Sequence, residues 1–256
     1  MYGRRSFEGL QDEDGSRKVS DEQSEAVRLL WGPHPKPTRG PKPALSLNRI
    51  ARAGIEVADA EGLAAVSMQR VAGLLGVTKM ALYRYVPGKA ELVAVMVETA
   101  IGGAPPPNEP GRDWREQLGD WARHLSTVFH RHPWLLDATV GPRVVGPGEL
   151  AWMEQALAAL DDTGLTGAER MDAVVLLTGH VRGIALQARA AGPDGSPEAQ
   201  LSATLGELMR AHGERYPALT AALASAAQSG GQDEALEFGL HRILDGLGLL
   251  IAQRTN

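Results

Sequence analysis

Apolar residues recur at spacings of three and four along most of the 256-residue chain, and no alternating run demands a strand, so an all-α fold is expected. The first strongly periodic segment runs from residue 47 to about 60, with Ile50, Ala53, Ile55, Val57 and Ala58 among its apolar positions. Ser46 is placed to cap it and Gly62 to stop it. Between 67 and 86 two short helices are predicted, joined by a tight turn. Val71, Ala72 and Leu75 form the apolar face of the first, Gly76 can end it in the left-handed conformation, Val77 packs inward and Thr78 caps the second. Ala81, Leu82 and Tyr85 fall on one side of that second helix, which leaves Lys79, Met80, Tyr83 and Arg84 facing outward. Pro87-Gly88 breaks the chain and a helix from Lys89 to about 101 follows.

Beyond 111 the pattern stays helical. Residues 113–131 carry Trp114, Leu118, Trp121, Leu125, Val128 and Phe129 at helical spacing, and His132-Pro133 ends the run. A short helix at 134–138, one at 149–160, a long one from a Thr166 cap to about 191, and three more at 198–212, 217–227 and 233–252 complete the expectation. The breaks are rich in Pro and Gly: 105–111, 142–148, 191–197 and 229–231. The run of prolines and glycine at 105–111 is the clearest linker. Residues 1–44 are polar and lack sustained periodicity apart from a helical candidate at 22–30. Five prolines between 33 and 43, interspersed with Lys36, Arg39 and Lys42, suggest an extended, mobile arm. Such an arm can lie along a DNA minor groove, and a plain disordered leader is the alternative. The expected organisation is a flexible extension at 1–44, a head at 45–92 with a connecting helix to about 101, and a helical body at 112–256.

Two short helices joined by a glycine turn, with polar and aromatic side chains outward on the second, make the layout of a helix-turn-helix, whose second helix lies in the DNA major groove. The particular residues go further. Gly62-Leu63, Ser67-Met68-Gln69-Arg70-Val71-Ala72, Leu75-Gly76-Val77, Ala81-Leu82-Tyr83-Arg84-Tyr85-Val86 and Lys89-Ala90-Glu91-Leu92 together resemble the DNA-binding domain of the TetR family of bacterial transcription regulators. In the body, Arg215-Tyr216-Pro217-Ala218-Leu219 and the run from Glu237 to Leu247 are similar to the subgroup typified by the tetracycline repressor. The resemblance covers 45–256 in outline. It implies a three-helix DNA-reading head, a connecting helix, and an all-helical C-terminal domain that dimerises and binds a small molecule.

Charge agrees with this division. The chain carries a net −5, yet residues 39–92 hold eight Lys/Arg against four Asp/Glu, whereas 93–256 hold twelve against twenty. A basic head neutralises phosphate while an acidic body is repelled by it. There is no cysteine, which excludes disulfides, thiolate metal sites and cysteine nucleophiles. No apolar run reaches membrane-span length and no apolar signal region is seen, so a cytoplasmic protein is expected. No cofactor is expected, and no metal: His130 and His132, two apart on a helix, do not share a face.

The candidate DNA-binding residues are Gln69, Thr78, Lys79, Met80, Tyr83, Arg84, Tyr85 and Lys89. Lys79 and Met80 open the recognition helix, where lysine can donate to guanine and a methionine methyl can meet a thymine methyl; Arg84 lies one turn on. The resemblance implies base reading by Gln69 and backbone contacts by Thr78, Tyr83, Tyr85 and Lys89. Core packing is the alternative for Tyr85. Lys89 opens a helix, unfavourably against the dipole unless a phosphate sits there, and Gly88 replaces the polar cap common in the family. For a homodimer interface, small and apolar residues single out Leu176, Gly179 and Gly183 on one helix and Gly239, Leu240, Ile243 and Leu247 on another, which would pair with their copies in a four-helix bundle. For an unknown small-molecule effector, His124, Trp134, Met153, His180 and Gln187 are candidates; core packing is the alternative for each. The function expected is a regulator, most often a repressor, that binds a palindromic double-stranded operator. Competing classes are a helical interaction module without specific DNA binding, and an enzyme; against the latter stands the absence of a nucleotide loop, a Gly-x-Ser-x-Gly elbow and a His-Glu-x-x-His pair.

Overall fold

The computed structural model describes residues 25–32, 45–103, 111–191, 197–229 and 234–255. Every regular element among them is helical: α1 (25–31), α2 (Leu47–Glu61), α3 (Met68–Leu75), α4 (Lys79–Tyr83), α5 (Lys89–Ile101), α6 (Trp114–Arg131), α7 (Leu135–Ala138), α8 (Pro147–Ala158), α9 (Gly167–Ala191), α10 (Pro197–His212), α11 (Pro217–Ser229) and α12 (Ala235–Thr255). The proline-rich stretch at 33–43, most of the 105–111 linker and the break at 230–233 lie outside the described residues, as does any placement of Lys36, Arg39 and Lys42.

Helices α2, α3 and α4 pack as a head, and α5 crosses α2 at close range. That crossing depends on Gly54, where an added Cβ would stand 2.6 Å from the Met96 sulfur. Ser46 caps α2 as its sequence predicts, its Oγ accepting from Arg49 N at 3.3 Å. One apolar core runs without interruption from Ile50, Leu82 and Leu92 in the head through Met96 to Leu118, Leu135, Leu177 and Leu240 in the body. In the body α6, α9 and α12 pack on one another, α8 lies against α9, α6 and α5, and α10 packs on α11 and α9.

Two differences from the sequence pattern, at α8 and in the leader, have physical causes, and the cap of α9 agrees with the pattern. α8 starts at Pro147 rather than 149, because proline suits the first helical position and Glu98 of α5 supplies the cap, its carboxylate accepting from Gly148 N at 2.9 Å. Thr166 forms a reciprocal cap with Glu169, which accepts from Thr166 N at 2.8 Å while Thr166 Oγ1 accepts from Glu169 N at 3.3 Å; the helix begins at Gly167 as its cap predicts. Part of the leader is packed rather than free. Ala26 and Leu30 of α1 are buried, Leu30 in a small cluster with Ala51 of α2 and Val95 of α5, and Trp31 Nε1 donates to Val145 O at 3.1 Å.

Candidate functional site

The turn between α3 and α4 is built by glycine. Gly76 sits at φ 66°, ψ 30°, and its N–H donates to Gly73 O while Val77 N donates to Ala72 O. These paired bonds form a Schellman motif, which satisfies the last carbonyls of α3 and sends the chain off at a sharp angle. Thr78 then caps α4, its Oγ1 accepting from Ala81 N at 3.2 Å. The recognition helix is short, and two residues one turn apart hold it down: Leu82 and Val86 are both 0% exposed. The inward line is therefore Leu82 with Val86, not Leu82 with Tyr85. Tyr85 lies past the last residue of α4, where the helical register no longer holds it to the Leu82 side, and it is turned partly to solvent.

All eight candidate DNA-binding residues, Gln69, Thr78, Lys79, Met80, Tyr83, Arg84, Tyr85 and Lys89, are exposed. Met80 is 72% exposed, a large apolar side chain left in water at the front of α4. Lys79 Nζ stands 5.6 Å from the Tyr83 ring centroid, so the ring braces the ammonium from below. At the start of α5 no side chain caps the helix. Gly88 is the N-cap, and Glu91 fills the space beside it, with its Oε2 only 2.8 Å from where a Cβ would stand. The first N–H groups of α5 thus remain without a side-chain acceptor, next to exposed Lys89.

The body contains a cavity of about 600 Å³ between α6, α8, α9 and the end of α7. Trp121, Leu125, Val128, Phe129, Trp152 and Val174 are among the apolar residues of its wall. The Trp121 and Trp152 rings meet edge to face at 6.1 Å. Of the five sequence-derived effector candidates only Met153 lines this cavity. His124 lines a smaller adjoining cleft of about 380 Å³ with Arg131 and His132. The other three lie elsewhere. Trp134 is buried against the head, and its Nε1 donates to Asp59 Oδ1 at 2.7 Å. His180 meets Leu236 O at 2.9 Å through Nε2 and covers Gly239. Gln187 is exposed one and a half turns beyond the cavity residue Arg182. Sequence reasoning picked aromatic and polar residues without knowing which face of each helix turns inward. Arg182, which lines the cavity, is not among those candidates, although it is the lone Lys or Arg between Arg170 and Arg189.

The dimer candidates divide in the same way. Leu176 and Gly179 are exposed on α9 and Gly183 has open space over it. On α12, however, Leu240 and Leu247 are buried in their own subunit, Ile243 packs against the same core, and Gly239 lies under the His180 ring. Leu240 and Leu247 are corrected from interface to intramolecular packing, while Ile243 and Gly239 are only partly buried. The apolar stripe of α12 at 240, 244 and 247 is used against α9 and α6. Its outer face presents Phe238, 68% exposed, and Leu249, 69% exposed, with open Gly246 and the ion-paired Arg242 and Asp245 between them.

Polar contacts reinforce the packing at two places, the first between head and body and the second within the body. Asp59 at the end of α2 accepts from Trp134 Nε1 and pairs with His132 Nδ1 at 2.8 Å. Arg182 of α9 reaches α7, donating to Leu136 O at 2.5 Å and to Thr139 Oγ1 at 2.7 Å.

Comparison with known proteins matches both halves. Residues 47–96 match the model described as "Bacterial regulatory proteins, tetR family", and residues 106–251 match "Tetracyclin repressor-like, C-terminal domain". The chain is 38% identical to the HTH-type transcriptional repressor DrrR1 of Streptomyces coeruleorubidus over 92% of its own length and 89% of that protein. It is 30% identical to an HTH-type transcriptional repressor of Mycobacterium tuberculosis over 80% of this chain and 81% of the relative. Among solved structures, it is similar to ActR of Streptomyces coelicolor in complex with actinorhodin, with a TM-score of 0.65 and 28% identity over 81% of this chain and 96% of that one.

Proposed function

The chain belongs to the tetR family of bacterial regulatory proteins, and from that premise we propose that it is a DNA-binding transcriptional repressor that grips a palindromic operator as a homodimer and responds to a small molecule held in the α6–α9 cavity. The observation that carries this reading is the front of α4: Lys79, Met80, Tyr83 and Arg84 stand exposed on a helix whose opposite side is fastened by Leu82 and Val86. Large apolar and cationic side chains held together in water on a rigid mount suit base edges and thymine methyls in a major groove. Gln69 adds a base contact, and Thr78, Tyr85 and Lys89 hold the flanking phosphates. The uncapped start of α5 supplies N–H groups for one of these phosphates.

The dimer reading is supported by the outer faces of α9, with Leu176, Gly179 and Gly183, and of α12, with Phe238, Gly246 and Leu249. Pairing these helices with their copies would give a four-helix contact and place two heads on one face. The solved complex of ActR with actinorhodin supports the effector reading, because it shows a relative of this shape holding a small molecule. Repression follows if the effector favours a head spacing that no longer fits successive major grooves. A regulator that meets chromosomal DNA acts in the cytoplasm, and among the described residues no helix is long and apolar enough to cross a membrane.

The test is the affinity of Lys79→Ala, Met80→Ala and Arg84→Ala for an operator duplex, read by fluorescence anisotropy at fixed salt, with circular dichroism confirming the fold. Each change is expected to weaken binding by about 1–3 kcal/mol. Unchanged affinity in all three would reject α4 as the reading element.

A further inference from the structure

We propose that the cavity selects an anionic aromatic molecule, a drug-sized ring system bearing a carboxylate or similar acidic oxygen, with Arg182 as its charge partner. This rests on the reading of the cavity as the effector site. The walls provide the first half of the chemistry. Trp121, Trp152 and Phe129 offer ring faces and edges, and Leu125, Val128 and Val174 complete a lining with little polar surface. Such walls favour a flat, polarisable, apolar body.

Charge provides the second half. The ionisable residues lining the cavity are Arg143, Glu149 and Arg182. Arg143 and Glu149 form a two-pronged ion pair and neutralise each other. Arg182 has no such partner: among the described residues it donates to the neutral Leu136 O and Thr139 Oγ1, and its guanidinium lies 5.4 Å from the Phe129 ring centroid. The lining therefore carries a surplus positive charge set in an apolar wall. Burial, and next the nearby Arg143, hold the Arg182 pKa below the usual arginine value, against an opposing pull from Asp137, which is itself ion-paired with Arg189. An anion beside it would reverse that penalty, whereas a cationic ligand would add to it.

The unpaired cation calls for an electron-rich oxygen, and the aromatic wall supplies the seat for the ring that carries it.

The experiment uses the full-length protein and two fluorescent probes of nearly the same shape, anilinonaphthalene sulfonate and its uncharged counterpart phenylnaphthylamine, titrated in parallel. A cavity-filling variant, Val128→Trp, reports whether each probe sits in the cavity. The expected result is that the sulfonate binds about tenfold more tightly than the neutral probe. Arg182→Met should erase this preference, Arg182→Lys should retain most of it, and Val128→Trp should abolish both affinities. Equal affinity for the two probes, each blocked by Val128→Trp, would overturn the anion proposal and leave the cavity as a site for neutral effectors. A preference that survives Arg182→Met in a folded variant would overturn the role of Arg182. Binding that ignores Val128→Trp would place the probes outside the cavity and overturn the effector reading along with the proposal.

Discussion

Leu82 and Lys79 stand three residues apart and do opposite work. Leu82 is buried among Val71, Val86 and their neighbours, and its loss would remove the mount on which the exposed residues sit. Leu82→Ala is expected to destabilise the fold by about 2–5 kcal/mol, seen as an earlier denaturant midpoint, whereas Lys79→Ala should leave that midpoint in place and weaken only DNA binding. Lys89→Ala should reduce affinity evenly across operator sequences and lower the slope of log affinity against log salt by about one. Asp59 is a different case, because a single carboxylate at the end of α2 receives both His132 and the buried Trp134. Asp59→Ala strands a buried indole N–H and should cost about 1–3 kcal/mol. Asp59→Asn keeps an acceptor oxygen and should cost less in the same denaturant titration. That Leu82 faces inward and Lys79 outward was legible in the chain, since cap, glycine turn and apolar spacing fix which side of a short helix is inward. The role of Asp59 was not, because its partners lie more than seventy residues away and no local pattern announces them.

At the scale of elements, similar glycines have opposite meanings. Gly54 lets α2 approach α5, and a Cβ there would collide with Met96, while Gly73 on α3 has nothing within 4 Å of its missing side chain. Gly73→Ala should raise stability by up to about 1 kcal/mol through helix propensity, and Gly54→Val should lower it by about 1–3 kcal/mol through overpacking; thermal melting of the two variants checks both signs. The cap of α9 carries a pH signature. Backbone and side-chain hydrogen bonds from Thr166, with Arg254 alongside, hold the Glu169 pKa down at about 2, against an ordinary 4.5. A depressed carboxylate stabilises the fold above its unfolded value and loses that contribution as pH falls through the folded one. Wild-type protein should therefore melt above Glu169→Gln at neutral pH, and the gap should close between pH 4.5 and 2. Helix positions and caps of this kind were readable from periodicity. The use made of each helix face was harder, and α12 shows why: Leu240 and Phe238 are equally apolar, and only the packing of α9 decides which one is buried.

In the whole molecule, α5 and a continuous core join the head to the cavity-bearing body. The DNA end of this assembly was legible because its chemistry is local, gathered in some twenty-five consecutive residues from Ser67 to Leu92. The body cavity was not, because its walls come from helices spread over eighty residues, and the chain has no short motif for them. Two-fold pairing through α9 and α12 predicts that Phe238→Arg combined with Leu249→Asp yields monomers in analytical ultracentrifugation, and that these monomers lose operator affinity more than they lose fold. The measurement that bears most directly on the account is selection of bound duplexes from a random pool by the purified protein at moderate salt. Recovery of a palindrome with half-site centres about 34–36 Å apart, or a multiple of that, is the predicted result. Binding that stays blind to sequence and vanishes as salt rises would contradict it.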